Sequence, residues 1–306
     1  MNRRTLVKAI AAGSATATLS SAGHTAQTTA GAHRNGGPKV ITGDGTALYV
    51  QAFGAGRPVV FVSAWTLDSR FWGSHMVALA KRGFRCVAFD RRGHGRSDAP
   101  LFGYDADTLA GDLAAVLDEC GVRDAVLVAH SMGSGEVARY LARFGTERVS
   151  KLLLVAPTTP HITQTPDNPE GVPEQMVRTL LDSVTEDFPE WIEANEAPFF
   201  TPQTGSGTRA WIKSMMLSVP LPIAATLREQ AARTDFRQDL QAIHIPCLIL
   251  HGDKDASAPL PLTGIRTQQL IAGSKLEVYP GAPHALPLTH RVRFLADLEQ
   301  WARSGQ

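Results

Sequence analysis

Apolar residues fall along this chain in two rhythms. Short continuous runs predict strands buried on both faces: Pro58 to Val62, Arg85 to Phe89, Ala125 to Ala129, Lys151 to Val155 and Pro246 to Leu250. Between them the spacing becomes helical over Phe71 to Ala80, Ala106 to Cys120 and Gly133 to Phe144. In the second of these, Leu109, Leu113, Val116 and Leu117 fall on one face. Lys39 to Ile41 and Ala47 to Phe53 flank Gly43-Asp44-Gly45, the composition of a hairpin turn. Near the end, Leu276 to Tyr279 reads as a strand with a helix before it, and Val292 to Trp301 as a closing helix.

Strands alternating with helices predict an α/β fold with a mostly parallel, twisted sheet and helices on both faces. The rhythm breaks after Ala156. Residues 158–240 carry Pro, Thr and helical patches without a clear strand. They are expected to form a helical cap inserted over the C-terminal edge of the sheet, where open α/β sheets place their ligands. The core is then residues 38–157 and 241–306. Phe188, Trp191, Phe199, Phe200, Trp211, Met215 and Met216 lie in the insertion. Most are expected to pack the cap, with one or two left to line an apolar pocket.

The first residues follow a different pattern. Arg3, Arg4 and Lys8 precede a weakly apolar, Ala-rich run from Ala9 to Leu19, and no acid occurs before residue 27. This is the outline of an export signal, and the paired arginines resemble a twin-arginine one. Residues 1–26 are therefore expected to be a signal peptide cut after Ala22 or Ala26, residues 27–37 a disordered leader, and the periplasm the destination. The export machinery is the expected protein partner.

Composition narrows the function. Hydrophobic residues make up 43% of the 306 residues and charged residues 19%, which suits a packed core. Thirty basic against 29 acidic side chains give no field for nucleic acid. No apolar stretch is long enough to predict a membrane span. Three cysteines do not make a disulfide scaffold, and Cys86 and Cys247 sit in strand-like runs as small buried hydrophobes. Histidines are scattered without metal-ligand spacing, and no phosphate-binding glycine loop occurs.

The informative segment is Val128-Ala129-His130-Ser131-Met132-Gly133-Ser134-Gly135, where a buried strand meets a helix through small residues. A sharp turn there lifts the Ser131 hydroxyl off the sheet and leaves the next N–H free. A serine needs a base within hydrogen-bond reach. Two later strand ends supply candidates in the required order: Asp253 and Asp255 in His251-Gly252-Asp253-Lys254-Asp255, and His284 in Pro280-Gly281-Ala282-Pro283-His284. His284 would take the serine proton, and an acid on the other loop would hold the imidazole tautomer.

With these runs the chain resembles the α/β-hydrolase superfamily, in particular bacterial cofactor-free haloperoxidases and arylesterases. The resemblance covers about residues 39–303. It rests on Phe89-Asp90-Arg91-Arg92-Gly93-His94-Gly95-Arg96-Ser97, His130-Ser131-Met132-Gly133, Gly135-Glu136-Val137-Ala138-Arg139-Tyr140 and His251-Gly252-Asp253-Lys254-Asp255. It implies that Asp255 is the acid of a Ser131–His284–Asp255 triad and that Asp253 shapes the turn. Asp90, His94 and Ser97 become turn residues. The backbone N–H groups of Trp65 and Met132 become the oxyanion hole, with no cofactor. The family's His-Gly-Trp is Ser63-Ala64-Trp65 here, and Thr66 follows where some members with perhydrolase activity carry proline. The implied activity is hydrolysis of a small ester or lactone, with peroxide-dependent perhydrolysis and apparent halogenation as the alternative. A non-catalytic binder on the same fold is a third reading.

Overall fold

The computed structural model describes residues 38–305. The expected signal and leader, residues 1–37, lie outside the described residues. In chain order the first half comprises β1 (Lys39–Ile41), β2 (Ala47–Phe53), β3 (Arg57–Val62), α1 (Gly73–Ala80), β4 (Phe84–Phe89), α2 (Ala106–Glu119), β5 (Ala125–His130), α3 (Gly133–Phe144) and β6 (Val149–Val155). Then come α4 (Glu174–Glu186), α5 (Phe188–Ala194), α6 (Glu196–Phe199), α7 (Ser206–Leu217), α8 (Leu221–Arg233) and α9 (Arg237–Gln241). The chain closes with β7 (Cys247–Gly252), α10 (Gly264–Leu270), β8 (Lys275–Tyr279), α11 (Leu286–Thr289) and α12 (Arg291–Arg303).

The eight strands form one sheet in the order β1-β2-β4-β3-β5-β6-β7-β8. The β1–β2 hairpin and the β2–β4 pair are antiparallel, and the remaining pairs are parallel. This is an α/β-hydrolase fold. Every residue of β5 is buried, as its unbroken apolar run requires of a central strand covered on both faces. Two apolar layers sandwich the sheet. One gathers Phe61, Trp72, Met76 and Phe294 from the α1 and α12 side; the other gathers Leu113, Leu117, Leu141 and Leu240 beneath α2, α3 and α9. Cys86 and Cys247 are buried within these layers, and burial pushes the Cys86 thiol up to about 12.

The predicted helix over Phe71 to Ala80 is divided. A short 3-10 turn, Ser69–Trp72, precedes α1 because Asp68 accepts from the Arg70 N–H and starts the turn early. The helices between β6 and β7 build a third apolar cluster in which Val184, Phe188, Ile192 and Leu227 meet Trp65 and Met132. Trp65 and Met132 sit on the loops after β3 and β5, so this cluster lies against the C-terminal edge of the strands. Among the described residues no single helix is long and apolar enough to cross a membrane.

Candidate active site

Three strand ends converge at this edge. β5 ends at His130, and Ser131 turns the chain into α3 with φ of +56°. That left-handed value is costly for a residue with a side chain and makes the turn abrupt. The turn is held by the Ser131 N–H on the Val155 carbonyl at 2.9 Å, and by the Ser134 N–H and hydroxyl on the Ser131 carbonyl. Gly133 is small for a stated reason: a Cβ there would lie 2.9 Å from Val62 and 3.1 Å from the Ser63 carbonyl. Ala129, at the first position of the motif, is fully buried between Val62 and Leu154 of the neighbouring strands.

The Ser131 Oγ lies 2.8 Å from His284 Nε2, and His284 Nδ1 lies 2.7 Å from Asp255 Oδ2. All three side chains are buried. The other carboxylate oxygen of Asp255 accepts the Ser257 and Ala258 N–H groups at 2.9 and 2.8 Å. Burial alone would raise this carboxyl. The charge interaction with His284 and the hydrogen bonds from His251, His284 and Ala258 outweigh it and hold Asp255 ionised, well below the usual carboxylate range.

Asp253 does a different task. Its Oδ1 accepts the Gly281 N–H at 2.7 Å, while the Lys254 N–H reaches the Ala282 carbonyl. It ties the acid loop after β7 to the histidine loop after β8 and stands apart from the imidazole. Asp90 and Ser97 likewise serve a turn: the Asp90 carboxylate accepts the Ser69 and Arg96 N–H groups, and Ser97 bonds the Asp90 carbonyl and the Tyr49 N–H.

Two histidines support the centre without reaching Ser131. Read from sequence as loop residues, His130 and His251 are in fact strand residues buried under the site. His251 Nε2 donates to the Ala258 carbonyl at 2.8 Å and lies 3.3 Å from Asp255 Oδ2. His130 Nε2 donates to the His284 carbonyl at 3.0 Å, its ring stacked on Phe71. Burial lowers His130 to about 3, so the ring is neutral and adds no charge beside His284.

The family-model comparison decides the family: the model of the alpha/beta hydrolase fold matches residues 57–291. The chain belongs to the α/β-hydrolase family. A non-heme haloperoxidase of Rhodococcus erythropolis is 36% identical over 275 residues, 87% of this chain and 100% of that protein. A bifunctional esterase/perhydrolase of Acinetobacter calcoaceticus is 34% identical, covering 87% of this chain and 99% of the relative. Among solved structures, an esterase from Exiguobacterium antarcticum superposes with a TM-score of 0.84 at 29% identity, over 88% of this chain and all of its own. Relatives of this α/β-hydrolase are thus hydrolase enzymes, haloperoxidases and esterases.

The loop after β3 carries the remaining elements of the site. Ser63, Ala64 and Trp65 stand where the hydrolase pattern has His-Gly-Trp. The Ser63 hydroxyl accepts the Trp72 indole N–H at 3.1 Å. Ala64 needs no left-handed backbone, so its methyl causes no strain. Thr66 has φ of +59°, a value the proline ring forbids. The proline found in some perhydrolase-active members therefore does not fit this loop as it runs here.

Sequence reasoning missed what holds that loop. The Arg91 guanidinium donates to the Ser63 and Ala64 carbonyls at 2.7 and 3.2 Å and to the Glu136 carboxylate at 2.5 Å. Trp65 then anchors the other side, its indole N–H donating to the Ala224 carbonyl of α8 at 2.8 Å. The Trp65 and Met132 backbone N–H groups have no acceptor among the described residues, and both residues line one cavity with Ser131 and His284. The cavity holds about 230 Å³. Of the aromatics and methionines flagged in the insertion, Trp191, Phe199, Phe200 and Met216 face it, Phe188 and Met215 are buried in the packing, and Trp211 is partly exposed.

Proposed function

We propose that the protein is a serine hydrolase that cleaves a small carboxylic ester or lactone through an acyl-enzyme. One observation carries the reading: Ser131, His284 and Asp255 form a continuous hydrogen-bonded chain that opens on a largely apolar cavity. His284 Nε2 takes the hydroxyl proton as Ser131 Oγ bonds the carbonyl carbon. The carbonyl electrons move to oxygen, where the Trp65 and Met132 N–H groups stabilise the charge. Collapse breaks the ester C–O bond, and the protonated His284 gives its proton to the leaving alcohol. Water, deprotonated by His284, then releases the acid. Asp255 fixes the tautomer and stabilises the imidazolium.

The second reading replaces water by hydrogen peroxide, so that the acyl group leaves as a peracid able to oxidise halide. Its support is the names of the relatives, a non-heme haloperoxidase and a bifunctional esterase/perhydrolase. A non-catalytic binder would not need an activated serine. The test is a panel of p-nitrophenyl esters, lactones, and monochlorodimedone with bromide and peroxide, together with labelling by a fluorophosphonate. Labelling of Ser131 with ester turnover supports hydrolysis; absence of both leaves a binder. We further propose that the chain is exported by a twin-arginine route, on the strength of Arg3-Arg4 and the weakly apolar run behind them.

A further inference from the structure

One wall of the cavity carries a charge that the hydrolytic reading does not use. α8 buries Ile223, Ala224 and Leu227 against Trp65 and Met132, and the next residue, Arg228, lines the cavity shared by Ser131 and His284. Its guanidinium carbon lies 4.6 Å from the Trp191 ring centre and 4.9 Å from that of Trp65. The two indoles stand at 88° to each other, so the cation sits in a corner between them. Between two perpendicular rings a flat guanidinium can turn a face to only one of them, and both contacts are made to its charge. Its five N–H donors point from the edge, and none meets a carboxylate or carbonyl among the described residues.

Four other arginines withdrawn from solvent each hold a carboxylate. Arg91 has Glu136, Arg92 has Asp112, Arg139 has Asp239, and Arg209 has Glu196. The remaining ionic groups of the cavity wall offset each other: Glu196 accepts from Arg209 and Lys213, and Lys213 also reaches Glu193. Arg228 is half-buried, and burial lowers its pKa to about 10, which still leaves it charged at neutral pH. Arg228 is thus the cation of this wall without an ionic partner among the described residues, and it suits a singly charged, planar acceptor. A carboxylate fits the guanidinium fork with two parallel hydrogen bonds, whereas a phosphate dianion would call for more donors than this wall supplies.

We propose that Arg228 determines substrate specificity by binding a carboxylate carried by the ester or lactone away from the carbonyl that Ser131 attacks. The preferred substrates are half-esters of short dicarboxylic acids or lactones bearing a free carboxylate. This rests on the hydrolase reading above. The Trp65 and Trp191 indoles hold the fork in place, which reduces the ordering cost of the salt link.

Two measurements separate this inference from the hydrolase assignment. In a pH-stat, the monomethyl esters of succinate, glutarate and adipate are compared with neutral isosteres whose carboxylate is replaced by a carboxamide. The wild type should favour the best carboxylate ester by roughly 10- to 100-fold in kcat/KM, the range of a hydrogen bond to a charged partner. Arg228→Gln should collapse that ratio through KM, and Arg228→Lys should restore part of it. Separately, succinate, glutarate and adipate are titrated into Ser131→Ala while tryptophan fluorescence is read, since Trp65 and Trp191 flank the cation. Binding that is lost in Ser131→Ala/Arg228→Gln supports the anion site even if neither ester turns over, in which case only the hydrolase reading fails. A wild type that turns over both esters without preferring the carboxylate, or a preference that survives Arg228→Gln, overturns the inference.

Discussion

The clamp on the oxyanion loop predicts that stability and activity come apart in two neighbouring variants. The Arg91 and Glu136 side chains are 2% and 3% exposed, so their pair is a buried ion pair. Breaking such a pair by removing one partner costs about 3–5 kcal/mol, because the survivor is left unmatched and must stay charged or change its protonation against the solution pH. Arg91→Met removes the charge and also the donors to the Ser63 and Ala64 carbonyls. Glu136→Gln removes the negative charge but leaves an amide oxygen to accept from Arg91 and both loop contacts in place. Both variants should therefore lose stability of that order in chemical denaturation. Only Arg91→Met should lose activity strongly, because the Trp65 N–H sits next to the two released carbonyls. Misplacing a catalytic group by an ångström costs about 100-fold, and full loss of one oxyanion donor costs about 100- to 1,000-fold. The expected loss is about 100-fold in kcat for a p-nitrophenyl ester, with KM little changed, measured well below the melting transition.

A pH series adds a signed check. Burial raises the Glu136 carboxyl even with Arg91 beside it. In Arg91→Met that opposing charge is gone, so the folded carboxyl keeps its proton well above the unfolded value. A group with a raised folded pKa favours the native state below its unfolded pKa and loses that contribution as pH rises. Arg91→Met should thus be closest to wild type near pH 5 and progressively weaker toward pH 8. Wild-type kcat in Arg91→Met refutes the clamp. An equal loss of kcat in Glu136→Gln would trace the effect to disturbed packing and not to the loop.

Four further outcomes follow from the site and the leader. Ser131→Ala should fold normally and lose roughly 10³-fold or more in kcat; retained esterase activity removes Ser131 from the mechanism. Asp255→Asn should cut kcat by about 10⁴-fold and Asp253→Asn mainly lower stability through the Gly281 contact, and the reverse order would exchange their roles. Burial holds His75, His94 and His130 at about 4, 3 and 3. As pH falls from about 6.5 the unfolded chain takes up protons these rings refuse, so stability should drop by up to about 1.4 kcal/mol per pH unit for each; a flat profile between pH 7 and 5 contradicts their neutral burial. Changing Arg3 and Arg4 to lysine should keep the protein in the cytoplasm with its leader uncut, as fractionation and N-terminal sequencing would reveal; wild-type protein found only in the cytoplasm with an intact start refutes export.

Most of the sheet was legible because a strand covered on both faces leaves little room for polar residues. The runs at Val59, Val87, Val126, Leu152 and Ile249 all pair in the parallel sheet. Strand ends were less legible: Arg57 extends β3, and Lys275 extends β8, because ladder pairing continues past the last apolar residue. The short α11 had no signal at all. Its four residues include a proline, and the turn is fixed by hydrogen bonds such as that from Ala285 N–H to the Phe199 carbonyl, which join segments far apart in the chain.

The site divides along the same line. Ser131, His284 and Asp255 announce themselves because each follows a strand and sits among small or turn-forming residues, a local pattern set by the chemistry of sharp turns. Their supports do not. Arg91 looks like one more charge in Asp90-Arg91-Arg92, and Glu136 like a helix-face acid in the first turn of α3; only the approach of α3 to the loop after β4 makes them a pair. His251 reads as the start of a loop, yet its ring is buried against Asp255. Arg228 carries no sequence signal either, since an arginine at the polar edge of an amphipathic helix is the commonest of residues. What marks it is that, half-buried beside Ser131 and His284, it has no ionic partner among the described residues, and that is a property of the assembled cavity. The side chains to which we assign the chemistry are therefore written in short motifs. The groups that position them, and the one we assign to substrate choice, are written in the distances between motifs.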